Sequence, residues 1–126
     1  MDPLEARAAK MRELLLRERD DEVTWFGLGQ TLLALGRPDE AAAALREAVR
    51  LRPDYTAAHR DLGRAQLEAG RREEAEPVLL HALRVTEETR DLQTGREVAV
   101  LLRRAAPGAG ASDLPVDAPA GERGAA

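Results

Sequence analysis

The chain has 126 residues, a length that supports one domain and leaves no room for a second core. Charged residues make up 33% of it, yet 19 basic against 23 acidic side chains leave a net charge of only −4, so the signs are interleaved and nothing demands a polyanionic partner. Cysteine is absent, which excludes disulfides, thiolate metal sites and cysteine nucleophiles and leaves the redox compartment open.

The abundant Ala, Leu, Glu and Arg are good helix formers, and the composition predicts an all-α protein. Only Trp25, Phe26 and Tyr55 are aromatic, too few for a deep aromatic-lined catalytic pocket. In chain order, Asp2-Pro3-Leu4-Glu5 is a capped helix start, and Leu4, Ala8, Met11 and Leu15 then recur at helical spacing. This predicts an N-terminal capping helix in residues 1–19, ended by Asp20-Asp21. The start mixes acid and base, and no window approaches the roughly 18 apolar residues a membrane span needs. A cytoplasmic protein without membrane contact is the expectation.

From Glu22 onward the chain repeats itself at an offset of 34. Leu28, Gly29, Leu33 and Gly36 match Leu62, Gly63, Leu67 and Gly70; Arg37, Glu40, Ala41, Leu45, Ala48 and Arg50 match Arg71, Glu74, Ala75, Leu79, Ala82 and Arg84. A fixed period in this range marks stacked supersecondary units. The predicted units are 20–54 and 55–88. Gly36 and Gly70 end the first helix of each unit, because glycine enters the left-handed conformation at little cost. Pro38 with Asp39 and Glu40, and Glu73 with Glu74, open the second helices. Pro53-Asp54 separates the units. Small residues (Gly29, Gly63, Ala41, Ala48, Ala75, Ala82) stand where paired helices cross, with Leu28, Leu45, Leu62 and Leu79 filling the space between them. Pro77 lies inside the last of these helices and predicts a slight bend without a break.

Leu92, Gly95, Val98, Ala99, Leu101 and Leu102 mark one face of a further helix, predicted within 89–105. Arg96-Glu97 stand where a third Leu-Gly pair would fall, so this is a C-terminal cap and not a third repeat. Residues 106–126 are Ala, Gly and Pro with isolated charges, too poor in apolar surface to order, and predict a disordered tail.

The first unit, reading Trp25, Leu28-Gly29, Leu32, Gly36, Ala41, Leu45, Ala48 and Pro53, resembles the tetratricopeptide repeat. The second is a weaker copy: Leu62-Gly63, Gly70, Ala75, Leu79 and Ala82 are kept, while His59, Gln66 and Glu87 stand in the tryptophan, tyrosine and proline slots. The likeness covers Glu22 to Glu88 and extends to short stand-alone bacterial repeat proteins. It implies a right-handed α-α superhelix of two repeats between capping helices, acting as a non-enzymatic adaptor that binds a protein or peptide ligand, with no cofactor.

Such a stack presents the first helix of each pair on its concave side. The candidate groove is Val23, Phe26, Gln30 and Leu33, then Arg60, Arg64 and Leu67 with Ala57, and Val98 with Thr94 and Leu101 from the cap. Phe26 has two readings, a groove anchor pointing about 100° from Trp25 or core packed under the N-terminal helix. Arg60 and Arg64, one helical turn apart, can jointly hold a carboxylate; the alternative is solvated arginines paired with Asp61 or Glu68. Some members of the family grip a terminal carboxylate in this way, but Gln30 and Arg64 occupy the slots of its asparagine.

Catalytic and metal residues are not found. His59, in a packing slot, and His81, on an outward face, have neither metal-ligand spacing nor a cysteine partner and read as structural histidines, and the acid pairs Asp20-Asp21, Glu73-Glu74 and Glu87-Glu88 fall at helix ends. Gly27 and Gly29 lie within a helix and form no phosphate loop. Self-association through the exposed ends of a two-repeat stack is an alternative function. RNA binding by Arg50, Arg52, Arg60, Arg64, Arg71 and Arg72 is a weaker one, because acids interleave them and no aromatic platform accompanies them; nucleic acid is not among the expected partners.

Overall fold

The computed structural model describes residues 1–105; the expected disordered tail, 106–126, lies outside the described residues. Six helices follow one another: α1 (Pro3–Arg17), α2 (Glu22–Ala34), α3 (Pro38–Leu51), α4 (Thr56–Glu68), α5 (Arg72–Thr89) and α6 (Leu92–Ala105). No strand occurs among the described residues.

The boundaries follow from local chemistry. Asp2 accepts from the Leu4 amide at 2.6 Å, Asp21 from the Thr24 amide at 3.2 Å and Asp91 from the Thr94 amide at 3.2 Å, so each caps amides that have no partner within the helix. The same Asp21 and Asp91 carboxyls are held below the usual carboxylate range, first by side-chain bonds from threonine hydroxyls (Thr24 and Thr56 respectively). α3 instead starts on Pro38, whose missing N–H costs nothing there. Gly36 (φ +74°) and Gly70 (φ +79°) close α2 and α4. In each case the next amide reaches back five residues, Arg37 to Leu32 at 2.9 Å and Arg71 to Gln66 at 2.8 Å, the Schellman arrangement. α5 ends the same way without glycine: Arg90 takes φ +61° and the Asp91 amide bonds the Thr86 carbonyl at 2.9 Å. Pro77 leaves α5 unbroken.

α2 pairs with α3 and α4 with α5, and the crossing in each pair depends on one glycine. A Cβ on Gly29 would lie 2.5 Å from Leu45 Cγ, and one on Gly63 2.2 Å from Leu79 Cδ2. Leu45 and Leu79, both fully buried, therefore rest directly on the backbone of the partner helix. α3 packs in turn on α4 and α5 on α6, and α4 touches both α2 and α6. Alternate helices thus form two layers, α2, α4 and α6 inside, with α1, α3 and α5 outside. Arg12–Glu40 at 2.9 Å and Arg37–Glu5 tie α1 across to the first pair. Thr56 donating to Asp91 at 2.6 Å ties the start of α4 to that of α6.

α6 occupies the place of a third inner helix, but in a shifted phase. α5 has 18 residues where α3 has 14, so the 34-step register is lost before α6 begins. Val98, at 0% exposure, then fills the core while Arg96 is exposed, and Thr94 and Leu101 are buried with it. This corrects the expectation that Val98 lines the groove and that Thr94 and Leu101 accompany it.

His59, in the tryptophan slot of the second repeat, is buried. Its Nε2–H donates to the Pro53 carbonyl at 2.7 Å, and its ring meets that of the exposed His81 edge-on at 5.1 Å. Burial lowers its pKa below the ordinary 6.5; the Pro53 bond opposes this and the charge of His81 adds to it.

Two measurements check this packing. Gly63→Ala gains about 1 kcal/mol of helix propensity but must displace Leu79, so a net loss on the order of 1–3 kcal/mol is expected in urea unfolding; in a Leu79→Ala background the penalty disappears or reverses. Equal effects of Gly63→Ala in both backgrounds would show that Leu79 is not the obstacle. For His59 the folded state holds the proton less tightly than the unfolded chain, so its contribution is complete above about pH 6.5 and is lost as the pH falls below that value. Unfolding midpoints should drop from about pH 7 to about pH 5 more steeply in the native chain than in His59→Gln, and parallel curves would exclude His59 as the source.

Candidate partner-binding face

The side of α2, α4 and α6 turned away from the outer layer is the candidate face. α2 contributes Val23, 58% exposed, and the exposed Gln30. Leu33 and Phe26 are half-buried and pack on the core. Met11 of α1 covers the neighbouring Gly27, and Phe26 meets the start of the second repeat. Its ring stacks at a tilt on Tyr55, 4.9 Å between centroids, and the Arg52 guanidinium sits 4.6 Å above the other aromatic ring. Burial raises the Tyr55 phenol above its ordinary 10.0. This stack bridges the two repeats, so Phe26 is a partly open joint between them.

The centre of the face is a charge network. Asp61, on α4, is 2% exposed; it accepts from Arg60 Nε at 2.9 Å and from the Gln30 amide at 3.5 Å, with Arg64 at 4.0 Å. Arg60 is 17% exposed and spends a second donor on Glu97 of α6 at 2.7 Å. Burial disfavours the Arg60 cation, but the bonds it donates to Asp61 and Glu97 outweigh that and raise its pKa. The carboxylates that Arg60 grips are therefore the protein's own, drawn from two neighbouring helices. Arg64 is more open, at the basic end of the face beside the half-buried Leu67.

The structure thus brings Val23, Phe26, Gln30, Arg60 and Arg64 onto one surface, keeps Leu33 and Leu67 half-buried at its edge and removes Val98 from it. Sequence reasoning missed Tyr55 and Glu97 as members and saw Asp61 only as a partner for solvated arginines. Asp61 carried one signal, an acid in the middle of a helix whose neighbours are packing residues. The arginines considered for RNA are mostly engaged: Arg50 with Glu47 at 2.9 Å, Arg52 with Asp54 at 3.3 Å and Arg71 with Asp39 at 2.8 Å. Among the described residues, no three His, Cys, Asp or Glu side chains cluster to hold a metal ion, and no helix is long and apolar enough to cross a membrane.

Two layers of paired helices, presenting one face of mixed apolar and charged side chains, define a helical-repeat protein. Residues 26–88, half of the sequence, match the family model described as Tetratricopeptide repeat, and the chain belongs to the tetratricopeptide repeat family. Repeats of this family mediate protein–protein interaction. The fold is also similar to the solution structure of protein BPP2914 from Bordetella parapertussis, with a TM-score of 0.70 and 27% identity over 81% of this chain and 89% of that one. No match was found among curated proteins.

Breaking the network should show that it is structural. Arg60→Ala leaves the buried Asp61 carboxylate without its main partner, a change expected to cost about 3 kcal/mol; Asp61→Asn in the same chain should recover most of that. If the two substitutions simply add in denaturant unfolding, the pair is not coupled as drawn.

Proposed function

We propose that the chain is a non-enzymatic adaptor that receives a peptide segment or helix of a partner protein along the α2, α4 and α6 face. The observation that carries this reading is the gradient along that face, from exposed Val23 beside the Phe26–Tyr55 stack to open Gln30 and Arg64. A partner segment with apolar anchors at one end and a carboxylate at the other complements it. Its scaffold is held in place by Arg60, Asp61 and Glu97, so little ordering is left to binding. The reading places the chain in a bacterial cytoplasm.

Val23→Asp and Arg64→Glu change open side chains of the face and should leave helical content intact. Each is expected to remove the partner captured from a lysate of the native host, whereas Leu80→Asp, on the exposed side of α5, keeps it. Capture of the same partner set by both face variants, or equal loss with Leu80→Asp, sinks the assignment.

A further inference from the structure

A second recess lies on the opposite side of the molecule, between α1 and α3. Its floor is the inner helix α2, through Trp25, Leu28 and Leu32; two connected hollows of about 720 and 460 Å³ share Arg12, Arg19, Trp25 and Leu28. At its lip stands Leu16, 83% exposed although Leu15 beside it is buried. A protruding leucine and an apolar hollow therefore sit next to each other on the same helix. Leu28 and Leu32 are buried beneath it, so the apolar surface left open there is that of Leu16 and of the half-buried Trp25.

We propose that this recess is where a second copy of the chain docks, α1 against α1, with the Leu16 of each copy seated over Trp25 and Leu28 of the other. A two-fold axis near α1 satisfies both knobs and both hollows at once, which is the requirement of an isologous interface. The charges around the recess point to the same occupant. Three arginines (Arg12, Arg19, Arg50) and three acids (Asp20, Glu40, Glu47) line it. Arg12 and Glu40 bond at 2.9 Å, as do Arg50 and Glu47. A rim with no net sign offers no field to draw a strongly acidic or basic segment, whereas it meets its own copy without repulsion, and Arg19 of one chain can face Asp20 of the other. Such a contact rests on one open leucine and one half-buried indole per copy, so the association is weak and concentration-dependent. It leaves the α2, α4 and α6 face free, and is independent of what that face binds.

Trp25, the one tryptophan of the sequence, lies at the floor of the recess and reports on it directly. Sedimentation and tryptophan emission are measured on the full chain from about 10 µM to about 1 mM, the range in which a small interface populates. The expected mass rises from 13.7 kDa towards twice that value, and Trp25 emission moves to the blue with the same midpoint. Leu16→Asp changes a side chain that supports nothing in the monomer, and Ala43→Arg fills the exposed wall on α3. Each should stay at the monomer mass with unshifted emission and an unchanged circular dichroism spectrum, while Val23→Asp associates as the native chain does. A single-chain mass at every concentration overturns the proposal, as does a dimer that survives both variants. So does a Trp25 emission that ignores concentration and reddens when the chain is cut after Ala105, since that would place residues 106–126 in the recess.

Discussion

The structure rests on two contacts in which a leucine lies directly on the backbone of the helix it packs against, Leu45 on Gly29 and Leu79 on Gly63. No larger residue than glycine can stand at either point without displacing a fully buried side chain. Close approach sets the crossing within a pair, and because it recurs 34 residues later the two pairs cross alike. Stacking like pairs puts their first helices side by side. With alanines at Ala41, Ala48, Ala75 and Ala82 completing the seams, the core gains its cohesion from proximity more than from large side chains.

Between the pairs a different chemistry takes over. The Phe26–Tyr55 stack joins α2 to the start of α4, and Arg60 reaches from α4 to Glu97 on α6 while Asp61 receives Gln30 from α2. These polar and aromatic joints are directional where the leucine seams are not, so they fix how one pair is rotated against the next. They also stand on the face that a partner would meet. Side chains such as Arg60 are consequently both scaffold and surface, which makes the face rigid and restricts recognition to the groups left open around it, Val23, Gln30 and Arg64.

What could be read in the sequence was whatever depends on local chemistry or on the period. Gly36 and Gly70 terminate helices by a conformation that side chains resist, and the Leu-Gly pairs announce the crossings. Both survive translation from one repeat to the next. The phase of α6 was not legible, because it depends on α5 running 18 residues, past the point where the first repeat turns, and closing on Arg90 where a glycine would be expected. A position counted by the period, Val98, therefore went to the wrong side. Glu97, the second partner of Arg60, escaped for a related reason: it lies outside the repeat, and only the docking of α6 on α4 brings it near.

The recess over Trp25 belongs to this last category, since it exists only through the way α1 is seated. α3 and α5 are each held between two inner helices, α3 on α2 and α4, α5 on α4 and α6, whereas α1 has only α2 to lie on. Ala8 and Leu15 supply its buried contact, and Arg12–Glu40 with Arg37–Glu5 fix its distance from α3. A helix anchored along one edge must leave its other edge, and part of the floor beneath, unoccupied. Leu16 marks that edge, and the hydrophobic effect favours any contact that removes it and the indole below it from water together. The proposed docking site thus lies at the end of the stack where the pairing of helices is incomplete, away from the face where the pairs are fully formed.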